Sequence, residues 1–147
     1  MENDVLLKRM DQEDWSLGYC RDDPVRPHIS LAWRTQKGRQ VYGLEEEGDI
    51  VAMVCVAYCN DVPLTEEELD ELSSPEGEHA VFYTVWSYKK GAGRKMVLDT
   101  AKHLKEKGIN HFVTLSPLTE MAERFHTQNG AKLLKRGDKA QNFKYEV

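Results

Sequence analysis

No stretch of this sequence is apolar for long enough to cross a bilayer. The longest apolar run, Ile50 to Cys59, is about half of the ~20 residues a spanning helix needs. The start, Met1-Glu-Asn-Asp4, is acidic and lacks the apolar stretch of a secretory signal. No disulfide framework is present. Three cysteines, Cys20, Cys55 and Cys59, cannot all pair, and none stands in a CxxC spacing. They read as reduced thiols on core-facing surfaces in a reducing compartment, so a cytoplasmic location is expected. There is no long basic block either. The 20 Lys and Arg are interspersed among 25 Asp and Glu for a net charge of −5, which offers no electrostatic footprint for nucleic acid. His28, His79, His103 and His111 stand in no ligand spacing, so no metal is expected. Repeats, low-complexity tracts and internal linkers are also missing. What remains is a chain of 147 residues, 40% apolar and 31% charged, the size and composition of one globular domain spanning 1–147.

The pattern along that chain alternates between two periods. Asp4–Met10 reads as a strand, and Asp11 as the cap of a helix carrying Trp15, Leu17 and Tyr19. Asp22-Asp23-Pro24 breaks that helix. Pro27 opens a second, with Ile29, Leu31, Ala32 and Trp33 on its apolar side and Lys37-Gly38 at its end. Gln40–Glu46 and Asp49–Cys59 flank a turn at Glu47-Gly48-Asp49, as an antiparallel hairpin does. Thr65 and Glu68 stand in capping-box spacing at the start of a short acidic helix. His79–Ser87 is β-branched and aromatic, a buried central strand. A helix with an apolar stripe at Met96, Val97, Thr100, Ala101 and Leu104 follows. Then come a strand over His111–Ser116, a helix capped by Thr119, and two strands over Ala131–Arg136 and Gln141–Val147. The order is β-α-α-β-β-(α)-β-α-β-α-β-β, an α/β domain of the α+β kind.

The loop between the central strand and the striped helix, Tyr88-Lys-Lys-Gly-Ala-Gly-Arg94, suits an anion. Glycines let the backbone approach a phosphate, and a helix start presents unpaired N–H groups and the positive end of its dipole. Gly91, Ala92, Gly93 and Arg94 would supply those N–H groups. Lys89, Lys90 and Arg94 would add charge for a diphosphate or a ribose phosphate.

Placed after the fourth main strand and before the third main helix, this loop makes the chain resemble the GNAT N-acetyltransferase superfamily over nearly its whole length. The family's loop reads Gln/Arg-x-x-Gly-x-Gly/Ala. Gly91 and Gly93 match its glycines, while Tyr88 stands at its first position. The resemblance implies a mixed, mostly antiparallel twisted sheet flanked by helices. It implies a coenzyme A thioester held where the fourth and fifth strands splay apart. Val85, Trp86 and Ser87 would lie along its pantetheine arm, with Asn129 as a further coenzyme contact.

Ala80-Val-Phe-Tyr-Thr-Val-Trp-Ser87 resembles the AxFYSxS strand of malonyl-CoA decarboxylases, whose catalytic domains are GNAT-like. Thr114-Leu-Ser-Pro117 resembles their TLSP motif, Arg124–Ala131 their RFHxxNGA motif, and Asn142-Phe-Lys-Tyr145 their NYxY segment. Gln40–Val56 is similar to their strand pair ahead of the loop. By this resemblance Ser116 and His126 are the catalytic pair and Tyr145 a supporting hydroxyl. Loss of CO2 from malonyl-CoA leaves an enolate on the thioester. Fixed donors must stabilise it and an acid must protonate its α-carbon. Histidine, titrating near neutrality, can supply that proton.

Two other readings stand beside it. An N-acetyltransferase would use Tyr145 or His126 as acid or base while an amine attacks acetyl-CoA. The acidic run Glu66–Glu71, with Glu76 and Glu78, would suit a cationic acceptor, although a solvated acidic helix explains it as well. A non-catalytic acyl-CoA-binding module is the third. The partners expected are an acyl-CoA and, for acyl transfer, an amine, with no nucleic acid and no membrane. An oligomer is compatible with the sequence. The region of Trp15 and Trp33 is either a lid on the substrate or packing on the sheet.

Overall fold

A computed structural model of the chain describes residues 5–10 and 15–147. The expected cap Asp11 lies outside the described residues, as does the structure of Asp4. Seven strands form one sheet in the order β1-β2-β3-β4-β5-β7-β6. They are β1 (Val5–Met10), β2 (Arg39–Glu46), β3 (Asp49–Cys59), β4 (His79–Ser87), β5 (His111–Thr114), β6 (Lys132–Arg136) and β7 (Gln141–Tyr145). Among the described residues only β4 and β5 pair in parallel. The helices are α1 (Leu31–Arg34), α2 (Glu66–Leu72), α3 (Ala92–Glu106) and α4 (Glu120–Gln128), with a 3-10 helix over Trp15–Asp22. No helix among the described residues is long and apolar enough to cross a membrane.

The continuous apolar runs of β3 and β4 are explained by cover on both faces. On one face Val41, Met53, Cys55, Val81, Tyr83 and Leu115 meet Cys20, Trp33 and Leu69. On the other, Tyr42, Val54, Val56 and Phe82 meet the stripe Met96, Val97, Ala101 and Leu104 of α3. The β2–β3 hairpin turns through Glu47 at φ 53° and Gly48 at φ 87°. Two left-handed residues give a turn whose twist matches that of the strands.

Caps set the helix starts. Thr65 Oγ1 accepts from the Glu68 N–H at 3.0 Å, and Glu68 reaches back to the Leu64 N–H. Thr119 Oγ1 accepts from the Ala122 N–H at the head of α4. The helix expected from Pro27 is shorter: α1 is one turn, capped by Ser30 and closed where Thr35 Oγ1 donates back to the Leu31 carbonyl. Its inward residue is Arg34, wholly buried, while Leu31 is exposed.

One irregularity shapes the site. Val56 pairs with Phe82 and Cys55 with Thr84, so Tyr83 is an extra residue bulged out of β4. Bulges bend a strand and raise its twist. Pairing of β4 with β5 ends at Phe82 and Thr114, and the last bond between them runs from the Leu115 N–H to the Phe82 carbonyl. Beyond it Ser116 turns away and exchanges both backbone bonds with Gln141.

Candidate functional site

Where the two strands part, a cleft of about 590 Å³ opens. One wall is β4 from Phe82 to Ser87, and the other is Leu115–Pro117 with α4. Gly93, in the first turn of α3, closes one end. The cleft thus joins the glycine loop to the residues singled out for chemistry.

At the loop, Gly91 adopts φ 84°, a left-handed conformation that side chains disfavour. Of the expected donors, the Ala92 N–H is already taken by the Lys89 carbonyl at 3.1 Å, because the loop closes as a tight turn. The Gly93 and Arg94 N–H groups have no protein acceptor among the described residues. Gly93 is small for a packing reason: an added Cβ would sit 3.3 Å from the Phe125 ring. The cations of the loop are not all turned to it. Lys89 Nζ pairs with Glu46 at 2.8 Å, and Arg94 Nη1 leans toward the Gln128 carbonyl. Lys90 is exposed. Tyr88 directs its hydroxyl away from the loop. It donates to Asp22 Oδ2 at 2.7 Å and accepts from Trp86 Nε1 at 2.9 Å. Burial and then Asp22 hold this phenol above its usual range. Val85, Trp86 and Ser87 all line the cleft.

Ser116 and His126 line the same cleft, with no hydrogen bond between them. The buried Ser116 Oγ lies 2.7 Å from Thr114 Oγ1, which also accepts from the Phe143 N–H. His126 is buried between aromatic rings, stacked on Phe143 at 5.3 Å and edge-on to Phe125 at 5.0 Å. Its Nδ1 lies 2.7 Å from the Tyr145 hydroxyl. Burial pushes this imidazole down to about 4, so it is neutral at physiological pH rather than titrating near neutrality as its residue type suggested. Burial raises the Tyr145 phenol to about 12. Asn129, the C-cap of α4, sits beside that phenol with its amide Nδ2 buried and unbonded. No group of three or more metal-ligating side chains occurs among the described residues.

Sequence reasoning missed the support of the outer wall. Asp23, read only as part of a helix break, is buried, and its Oδ1 accepts from the Val25 and Arg26 N–H groups and from Thr84 Oγ1. Its Oδ2 pairs with Arg34 at 2.9 Å. Arg34 also donates to the Arg26 and Ile29 carbonyls and to Cys55 Sγ. Arg26 caps the carbonyl of the bulged Tyr83. This network fixes Pro24 and Val25 against the cleft. The one legible signal was an arginine inside an otherwise apolar helical pattern. Trp33 packs on the sheet: its ring lies edge-on to Tyr83 and under the Arg39 guanidinium. The Trp15 side chain lies outside the described residues.

No protein-family profile matches this sequence, and no curated protein matches it. Solved structures do. A probable acetyltransferase from Staphylococcus epidermidis superposes with a TM-score of 0.69 at 11% identity, over 98% of this chain and 99% of that one. An acetyltransferase from Bacillus subtilis, solved in complex with CoA, gives 0.67 at 8% identity over 98% and 99%. A malonyl-CoA decarboxylase from Cupriavidus metallidurans gives 0.59 at 17% identity. That match covers 84% of this chain, which spans only 33% of the decarboxylase. The chain therefore has the GNAT fold, with its mixed sheet and flanking helices.

Proposed function

We propose that this chain is an acyl-CoA-dependent enzyme working on the thioester carbonyl, with transfer of an acetyl group from acetyl-CoA to an amine as its reaction. The observation that carries this is the cleft, which leads from the N-terminus of α3, between the parted β4 and β5, to a buried neutral histidine. The end-to-end likeness to acetyltransferases favours acyl transfer as the reaction.

The free N–H groups of Gly93 and Arg94, with Lys90 and the Arg94 guanidinium, would hold the diphosphate. Gly91 sets the turn that aims them, and Ala92 helps to close it. The pantetheine arm would add along Val85, Trp86 and Ser87, taking up polar groups that β5 leaves behind. Asn129 would lie at the inner end of this path. An amine attacking the thioester carbon turns the carbonyl oxygen into an oxyanion. Ser116 Oγ and the N–H of a neutral His126 are donors in the same cleft that would stabilise it. Collapse breaks the C–S bond, the proton shed by the attacking nitrogen ends on the departing thiolate, and coenzyme A leaves as the free thiol while the amide forms.

A second reading, decarboxylation of malonyl-CoA, is favoured by the lining of the cleft. Its described walls carry no carboxylate and no Lys or Arg. A malonyl carboxylate held there would lack an ionic partner, and loss of CO2 would remove the uncompensated charge. The enolate would use the same two donors, and a proton from water would then reach the α-carbon. The decarboxylase-like segments Ala80–Ser87, Thr114–Pro117 and Arg124–Ala131 all border this cleft.

Mass spectrometry separates the readings. Purified protein is incubated with acetyl-CoA plus a mixture of alkyl, aryl and peptide amines, and separately with malonyl-CoA alone. An N-acetylated product supports acyl transfer. Acetyl-CoA formed from malonyl-CoA without any amine supports decarboxylation. Binding without either product would leave an acyl-CoA-binding module and refute both enzymatic readings.

A further inference from the structure

The His126–Tyr145 hydrogen bond has a direction, and the direction decides what the histidine offers the cleft. A neutral imidazole carries one proton, on Nδ1 or on Nε2, and the partner of one nitrogen selects between them. Nδ1 faces the Tyr145 hydroxyl at 2.7 Å. Nε2 has no partner among the described residues, and the ring lines the cleft.

Two arrangements are open to the bond. If Nδ1 carried the proton, it would donate to the Tyr145 oxygen. The phenolic O–H would then need another acceptor, and among the described residues its one hydrogen-bond partner is His126. An orphaned buried donor is costly. If the phenol donates instead, Nδ1 accepts, the proton sits on Nε2, and the phenol oxygen keeps a lone pair. The neighbouring group fits that lone pair. The Asn129 amide lies beside the Tyr145 hydroxyl, and its buried Nδ2 has no hydrogen-bond partner, so a phenol lone pair is the acceptor it lacks. An amide N–H can only donate. A donor at Asn129 therefore favours the arrangement in which the Tyr145 O–H keeps its proton and donates its hydrogen bond to His126 Nδ1.

We propose that Asn129 and Tyr145 form a one-way relay that locks His126 as its Nε2–H tautomer, making Tyr145 a positioning residue and His126 a neutral hydrogen-bond donor to the cleft. A ring fixed this way cannot take a proton at Nε2 from an attacking amine. It can hold an oxygen or a departing sulfur. Stacking on Phe143 and the edge of Phe125 keep the ring from turning over. The use of this donor on a thioester rests on the function proposed above. The tautomer itself is a property of the free protein.

Nitrogen-15 NMR of histidine-labelled protein without ligand at neutral pH tests it. A pyrrole-type signal at Nε2 and a pyridine-type signal at Nδ1, the latter displaced by an accepted hydrogen bond, are expected. In Tyr145→Phe the Nδ1 signal should move to the value of an unbonded pyridine-type nitrogen. Asn129→Ala should move it part of the way. A proton found on Nδ1 in the wild type overturns the proposal, as does an Nδ1 signal unchanged in a folded Tyr145→Phe. The wild-type spectrum alone decides if that variant does not fold. Where turnover is found, Tyr145→Phe should lower kcat about tenfold with KM nearly unchanged. Absence of turnover would count against the proposed function and leave the tautomer standing.

Discussion

Replacing Arg34 by Met should be among the most damaging single changes outside the cleft. The guanidinium is fully buried and makes four hydrogen bonds, to Asp23 Oδ2, the Arg26 and Ile29 carbonyls and Cys55 Sγ. Burial opposes ionisation of Asp23. The N–H groups of Arg26 and Val25, with Thr84 and Arg34, outweigh it and hold the carboxyl below its usual range. Asp23 is therefore a buried anion at neutral pH, and removing its cation leaves it uncompensated. The expected loss is about 3–5 kcal/mol. Met fills much of the arginine volume, so little of this is a cavity effect. Asp23→Asn alone keeps an acceptor for the two N–H groups but strands Arg34. The pair Asp23→Asn with Arg34→Met removes both charges and should lose less than the sum of the singles, a coupling of about 1–3 kcal/mol. Urea unfolding followed by circular dichroism, at constant slope, measures all four species. A loss under about 1 kcal/mol for Arg34→Met, or strict additivity in the double variant, would mean that Arg34 does not compensate a buried Asp23 charge.

Other outcomes follow from the same contacts. His126 is held near 4, against about 6.5 in an unfolded chain. The unfolded state therefore binds the extra proton first, and wild-type stability falls as pH drops through that window, by about 3 kcal/mol in all. His126→Gln should flatten this part of the stability curve, as thermal melts at successive pH values would record. Gly91→Ala meets no atom within 4 Å but must hold φ 84°, so it should cost about 1–2 kcal/mol and weaken coenzyme A binding several-fold in calorimetry. Gly93→Ala places a methyl 3.3 Å from the Phe125 ring. It should lower turnover in the mass-spectrometric assay more than it lowers the melting temperature.

The strands, α2 to α4 and the glycine loop were legible because each carries a local signal. β3 and β4 are unbroken apolar runs, Thr65 and Thr119 are caps, and Gly91 marks the start of α3. Features set by distant contacts were not legible. α1 looked longer because Ile29 and Leu31 extend the apolar pattern, yet the buried anion at Asp23 draws Arg34 inward instead. The bulge at Tyr83, which opens the cleft, leaves no mark in a strand whose residues all favour β structure. The pairing of Lys89 with Glu46 of β2 joins segments far apart in the chain, so no local pattern shows it. The charge state of His126 depends on Phe125, Phe143 and Tyr145 closing around it, which no spacing within α4 reveals.

Acyl-CoA is expected to bind in the cleft between β4 and β5. Backbone amide NMR during titration with coenzyme A tests it most directly. Saturable shifts are expected at Gly91, Gly93 and Arg94 and along Val85–Ser87, with the β1 and β2 amides unmoved. Saturating coenzyme A that shifts no amide of the loop, or moves only residues away from the cleft, would contradict it.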